Sequence, residues 1–184
     1  MPIVFLENDD SLSRNVVDLL PPPVEVRPGR AAASERGWLG RASALVIGPG
    51  PTDPGRAGLL DVVREAAARR VPTLGICLGH QAIGMAFGAR LVRVPPVHGK
   101  TSTVRFVPSR SFPGIVGEHE VMRYHSLAVN ELPEALRAVA TTADGIVMAL
   151  EHVALPLAGL QFHPDSYASP TGRAIVGAFL AGRT

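Results

Sequence analysis

In its first half the chain sets four short β-rich runs, residues 3–6, 24–26, 44–47 and 73–76, between stretches of helical periodicity. Such alternation is satisfied by a parallel sheet with helices packed on its faces. Between the runs, residues 11–20 bring Val16, Val17, Leu19 and Leu20 near helical spacing, and residues 58–70 put Leu59, Val62, Val63 and Ala66 on one face. Pro21 to Pro23 end the first of these helices and Pro72 the second, since proline lacks an N–H and clashes with the preceding turn. The second half changes character: residues 91–94, 103–107, 136–141, 146–150 and 157–162 read as strands with few helices between them. Antiparallel additions to the sheet are expected there, closed by a helix over residues 171–180 with Ala174, Ile175, Ala178 and Phe179 at helical spacing. The expected fold class is α/β, a single domain over residues 1–184 with a mixed, mostly parallel sheet flanked by helices.

Composition removes several functional classes. An apolar fraction of 46% in 184 residues supports a core without covalent staples. A single cysteine excludes an intrachain disulfide, a CxxC redox pair and the usual zinc spacings, so no metal or other cofactor is expected. A reducing, cytoplasmic setting fits best. The 18 basic and 16 acidic residues are dispersed, leaving no basic tract for nucleic acid. The opening MPIVFLENDDS meets acidic residues after four apolar ones, too few for a signal-peptide core. No apolar run approaches membrane-spanning length. A soluble protein with its own start is expected.

Chemistry concentrates in three segments. In Pro72-Thr-Leu-Gly-Ile-Cys-Leu-Gly-His-Gln, Cys77 stands where a strand ends and a helix begins, with Gly75 and Gly79 two residues to either side. A lone cysteine after a buried strand is most often a small core residue. The flanking glycines instead fit a nucleophile elbow, a strained turn that needs small neighbours and exposes its side chain. The helix N-terminus then favours a thiolate, and the N–H of Leu78 can face a developing oxyanion. Of the six histidines, His163 ends a predicted strand and has a carboxylate two positions later, in Gln161-Phe-His-Pro-Asp165. Residues two apart in extended chain share a face, so Asp165 can orient the ring and complete a Cys77, His163, Asp165 triad. Asp165 can equally be a turn former before Ser166. His119 and His152 read as satisfied surface or core residues. The third segment, Gly48-Pro-Gly-Pro-Thr-Asp-Pro54, follows a predicted strand at the carboxyl edge of the sheet, where α/β folds bind ligands. Gly50, between two prolines that lack N–H groups, offers a rigidly held second oxyanion donor.

With its glycine-proline loop, Gly-x-Cys-x-Gly elbow and late His-Pro-acid in this order, the whole chain resembles the class I, or triad, glutamine amidotransferases. His98-Gly-Lys-Thr-Ser, Arg123-Tyr-His-Ser-Leu-Ala-Val129 and the opening Glu7-Asn-Asp-Asp-Ser11 with Asn15 resemble the amidotransferase subunits of anthranilate and aminodeoxychorismate synthases. The resemblance implies a flavodoxin-like fold and L-glutamine as substrate. Gly50 and Leu78 would supply the oxyanion hole, Pro51 and Thr52 would line the site, and Gln81, Ser126 and Leu127 would hold the amino-acid end of glutamine. It further implies a chorismate-using synthase as the partner that receives ammonia, with His98 and Lys100 on the partner-facing surface or near a channel entrance; those two residues can also be a solvated turn at Gly99 between two strands.

Two positions depart from the family pattern. Asp165 stands where a glutamate is usual, and Thr52 where a glycine is usual. Retained but slower hydrolysis is expected from the first, and a backbone cost from the second if that site requires a positive φ. The competing readings are a glutaminase subunit serving another acceptor synthase, a free-standing cysteine hydrolase, and a weakened or non-catalytic assembly subunit.

Overall fold

The computed structural model describes residues 1–35 and 37–182. Among these, nine strands form one sheet in the order β2-β1-β3-β4-β9-β8-β7-β5-β6. Strands β1 (Ile3–Glu7), β2 (Val24–Pro28), β3 (Ala44–Ile47), β4 (Thr73–Ile76) and β9 (Leu157–Leu160) pair in parallel. Strands β5 (Arg90–Phe106), β6 (Gly117–Asn130), β7 (Leu136–Thr141) and β8 (Val147–His152) extend the sheet antiparallel from β9. The mixed α/β architecture expected from the chain pattern is the one found.

Strands β1, β3 and β4 are buried along almost their whole length because the sheet is covered on both faces there, whereas β2, at the sheet edge, carries Glu25 and is largely exposed. Along β1, Ile3 and Phe5 enter one core and Val4 and Leu6 the other. The first core is closed by Val16 of α1 (Ser13–Val17) and by Ile175, Val176 and Phe179 of α5 (Gly172–Ala181). The second is closed by Ala32 of α2 (Gly29–Ser34), by Leu59, Val62, Val63 and Ala66 of α3 (Leu59–Ala68), and by Leu78, Ala82 and Ile83 of α4 (Leu78–Ala86).

Three local expectations change. Helix α1 keeps only Ser13–Val17 of the expected 11–20, and Leu19 and Leu20 continue as tight turns whose N–H groups bond to Val16 and Val17. The separate runs 91–94 and 103–107 belong to one strand, β5, which passes through Pro95 and Pro96 at a register shift between Arg93 and Val97. Prolines are tolerated where the ladder is interrupted. Gly99, at φ +67°, sits at the next shift, between His98 and Lys100, so it marks a bulge within β5 and not a turn between two strands. Strand β6, which pairs with β5 along nearly its whole length, was not anticipated. Its run of Glu118, His119, Glu120 and Arg123 lacks the clean alternation that announces a half-buried strand.

Two glycines give the elbow its tight packing. A Cβ on Gly75 would lie 2.3 Å from the backbone carbon and oxygen of Gly79, and one on Gly79 would lie 2.3 Å from the Ile47 carbonyl oxygen. Helix α4 therefore rests directly on the ends of β3 and β4. Gly75→Ala is expected to destabilise the protein by about 1–3 kcal/mol or more, as overpacking against backbone does. Gly177→Ala, in an exposed part of α5 with nothing within 4 Å, should stabilise it by roughly 0.5–1 kcal/mol. Urea unfolding of both variants checks the contrast, and equal effects would show that the approach of α4 to β4 is not tight.

Candidate active site

The carboxyl ends of β1, β3, β4 and β9 are neighbours, and the three chemical segments follow β3, β4 and β9. Pairing of Ile76 with Leu160, extended by the Cys77 N–H donating to the Leu160 carbonyl at 2.8 Å, brings Cys77 and Gln161 side by side just beyond adjacent strands. Cys77 has φ 50° and ψ −96°. A non-glycine residue holds such a conformation only where its surroundings fix it, at a cost of about 1–3 kcal/mol. This is the strained strand-to-helix turn that the flanking glycines indicated, and Cys77 is 9% exposed on it.

Helix α4 begins at Leu78, so the first N–H groups of the helix lie next to the sulfur and lack intrahelical acceptors. Gly50 packs against Leu78: a Cβ on Gly50 would meet Leu78 Cδ2 and the Asn8 carbonyl oxygen at 2.7 Å each. Its φ is not positive, so space rather than backbone freedom requires glycine there. Asn8, buried, donates from Nδ2 to the carbonyls of Leu6 and Gly48 at 3.2 and 3.1 Å, tying the loop after β1 to the glycine-proline loop after β3. Thr52 is not among the described non-glycine residues of positive φ, which are Asp9, Arg70, Cys77 and Glu131. The backbone cost considered for Thr52 therefore does not arise.

His163 donates its backbone N–H to the Met122 carbonyl at 3.0 Å, an isolated bridge that anchors the segment after β9 to β6. Asp165 reaches the ring differently from the expected shared strand face. Residues 164 and 165 form a turn, with Ser166 N–H returning to the His163 carbonyl at 3.4 Å. The turn brings Asp165 Oδ1 to 3.5 Å from His163 Nδ1, with both side chains buried. That is long for a hydrogen bond, and among the described residues none of Nδ1, Oδ1 and Oδ2 has a hydrogen-bond partner. Asp165 is thus both turn former and neighbour of the imidazole. On its other side the ring meets Tyr124 edge to face, centroids 5.1 Å apart.

A cavity of about 560 Å³ gathers Gly50, Pro51, Thr52, Cys77, Gln81, Ser126, Leu127 and His163, with His98 and Tyr124 on its β5–β6 wall. Asp10, Ser11 and Leu12 line it from the loop after β1. This volume suits a small-molecule substrate, within the range of about 300–1,000 Å³. Of the residues singled out in the sequence, Leu78 and Asp165 lie behind this lining and Lys100 is exposed on β5. Gln81 returns to the elbow one helical turn on, its N–H bonded to the Cys77 carbonyl at 3.1 Å. Its side chain donates from Nε2 to the Leu127 carbonyl at 3.3 Å and to Gln161 Oε1 at 3.2 Å. The Leu127 carbonyl also accepts from His125 Nδ1 at 2.9 Å, while His125 Nε2 accepts from Arg123 Nε at 3.1 Å. Burial, then the charge of Arg123, lowers the His125 pKa to about 4, which keeps it neutral as this pattern of bonds requires. Asn8, Arg123, His125 and Gln161 were not singled out individually. Gln161 alone carried a usable signal, because it follows β9 as Cys77 follows β4.

The family model for class I glutamine amidotransferases matches residues 4–182. The chain belongs to the class I glutamine amidotransferases. It is 40% identical over 185 residues to the aminodeoxychorismate synthase of Streptomyces griseus, covering 97% of this chain and 26% of that longer protein. It is 38% identical to anthranilate synthase component 2 of Azospirillum brasilense, covering 97% of this chain and 94% of the relative. Its fold matches the crystal structure of a provisionally assigned GMP synthase component from Thermoplasma acidophilum with a TM-score of 0.87, at 24% identity over 100% of this chain and 94% of that one.

Within this cavity the charge balance centres on His163. Burial pulls its pKa down, but Asp165 and the Cys77 sulfur outweigh burial and raise it to about 10. Both neighbours therefore favour the positively charged imidazolium over the neutral ring. Because the folded pKa exceeds the unfolded one, protonated His163 stabilises the fold fully below about pH 6.5, and this contribution is lost as pH rises through about 10. NMR titration of the His163 ring protons is expected to show this raised value and its fall in Cys77→Ala and in Asp165→Asn. Titration in the ordinary histidine range in the unsubstituted protein would remove the ion pair from the picture.

Proposed function

We propose that the protein hydrolyses L-glutamine to glutamate and ammonia and passes the ammonia to a synthase partner. The observation that carries this reading is the convergence of Cys77, His163 and the glycine-proline loop on one cavity. The Cys77 thiolate attacks the carbon of the side-chain amide. Negative charge then develops on the former carbonyl oxygen, where the N–H groups of Gly50 and Leu78 receive it. His163, protonated and oriented by Asp165, gives its proton to the departing nitrogen as the C–N bond breaks, leaving a γ-glutamyl thioester. Water then attacks the thioester while neutral His163 takes its proton. Collapse expels glutamate and restores the thiolate–imidazolium pair.

The amino-acid end of glutamine fits the opposite wall. Both lone pairs of the Leu127 carbonyl are engaged by Gln81 and His125. Gln81 Oε1 and the Ser126 hydroxyl then serve as partners for the α-ammonium and α-carboxylate groups. Asp165, one methylene shorter than a glutamate, leaves the 3.5 Å separation from the ring, which favours a slower hydrolysis than a formed hydrogen bond would support.

Free ammonia is protonated in neutral water and ceases to be a nucleophile, so its useful delivery requires a docked acceptor enzyme. We assign that role to a chorismate-using synthase, on the strength of the relatives named anthranilate synthase component 2 and aminodeoxychorismate synthase. His98, exposed at the cavity mouth, and Lys100 beside it on β5 suit the docking face. A thiolate nucleophile needs reducing surroundings, which agrees with a cytoplasmic location. Among the described residues, no helix is long and apolar enough to cross a membrane.

Cys77→Ala is expected to lower glutamine-supported product formation by the complex more than roughly a thousandfold while leaving ammonia-supported formation intact. Measuring both with the purified complex tests the assignment. Loss of both activities together would make Cys77 a structural residue, and absence of glutamate release from the intact complex would remove the glutaminase reading.

A further inference from the structure

Gln161 is wholly buried between the two halves of the site. Its Nε2 lies 3.7 Å from the Cys77 sulfur, within reach of an N–H···S hydrogen bond, and its Oε1 accepts from Gln81 Nε2 at 3.2 Å. The direction of this chain of bonds is fixed from its far end. The Leu127 carbonyl can only accept, so Gln81 must turn its NH₂ toward it. That same NH₂ then donates to Gln161, which obliges Gln161 to present its oxygen to Gln81 and its own NH₂ to the sulfur. A hydrogen-bond donor aimed at sulfur stabilises the thiolate more than the thiol.

We propose that Gln161 is a positioning residue that holds Cys77 in its thiolate form, and that Gln81 sets its orientation. The residue that meets the substrate's amino-acid end is thereby linked to the nucleophile by two consecutive hydrogen bonds. The link to substrate rests on the glutaminase reading; the effect on the sulfur does not. The arrangement follows from the parallel pairing of β4 with β9, which leaves the first residue beyond each strand facing the same space.

Because Cys77 is the sole cysteine, its alkylation by iodoacetamide reports on this sulfur without a partner enzyme or glutamine. Gln161→Leu removes the donor while keeping the bulk. Alkylation at pH 7 is expected to slow roughly tenfold, the effect of losing one hydrogen bond to a charged group, and its pH profile to move toward alkaline pH. Gln81→Ala should slow alkylation less, by freeing Gln161 to turn its oxygen toward the sulfur, and the two substitutions together should do no more than Gln161→Leu alone. A residue that merely packs the site would act in the opposite sense, since loosening the elbow exposes the thiol and speeds alkylation. Unchanged or faster alkylation in a folded Gln161→Leu protein overturns the proposal. Should that variant not fold, Gln161→Met, similar in length and carrying no N–H or O–H donor, has the same expected outcome and the same overturning one. Failure of the unsubstituted complex to release glutamate, with alkylation behaving as described, would strike the glutaminase reading and leave the role of Gln161 toward the sulfur standing.

Discussion

The parallel pairing of β4 with β9 is the contact on which the site depends. The two strands are separated by most of the second half of the chain, yet Ile76 lies opposite Leu160 and the Cys77 N–H continues the ladder to the Leu160 carbonyl. Everything chemical is placed relative to that junction. Cys77 and Gln161 emerge together, His163 follows two residues later, and the glycine-proline loop arrives from β3 on the other side of β4. A shift of one residue in this register would send alternate side chains to the opposite face of the sheet and separate Cys77 from His163.

Backbone strain at Cys77 is the local counterpart of this arrangement. Its positive φ is disfavoured for a residue with a Cβ, and the turn persists because α4 is packed onto the strand ends where Gly75 and Gly79 leave no room for side chains. The two apolar cores on either face of the sheet hold the strands to which that turn is fixed. Cys77, the N-terminus of α4 and the loop bearing Gly50 are thereby held in one geometry. On the opposite wall, the neutral His125 between Arg123 and the Leu127 carbonyl gives Leu127 and Gln81 a similar support.

Where the sequence could be read, a local physical rule was sufficient. The buried strands β3 and β4 appear in the chain as short runs rich in apolar residues with the bounds found in the structure, because a strand covered on both faces favours apolar residues along its length. The elbow was visible because close packing at Gly75 and Gly79 excludes all other residues. Strand β6 was not visible, since it is held by backbone pairing to β5 and carries its charged residues, Glu118, Glu120 and Arg123, in its first half without a clean alternation. The continuity of β5 through two prolines was hidden for a related reason: a ladder can be interrupted and resumed without any change in local composition. Asp165 lies beside His163 by way of a turn and not by the shared strand face that the spacing suggested.

By itself the sequence determined the α/β class, the three chemical segments and, through their order, the resemblance to triad amidotransferases. These depend on interactions between residues close in the chain, or on steric demands that a single residue type meets. Only the tertiary structure decided that Gln161 touches the sulfur, that Asn8 ties the glycine-proline loop to β1, and that Arg123 and His125 support Leu127. Those contacts join segments through strand order and register, which arise from the packing of the whole sheet and leave no periodic trace in the segments they connect.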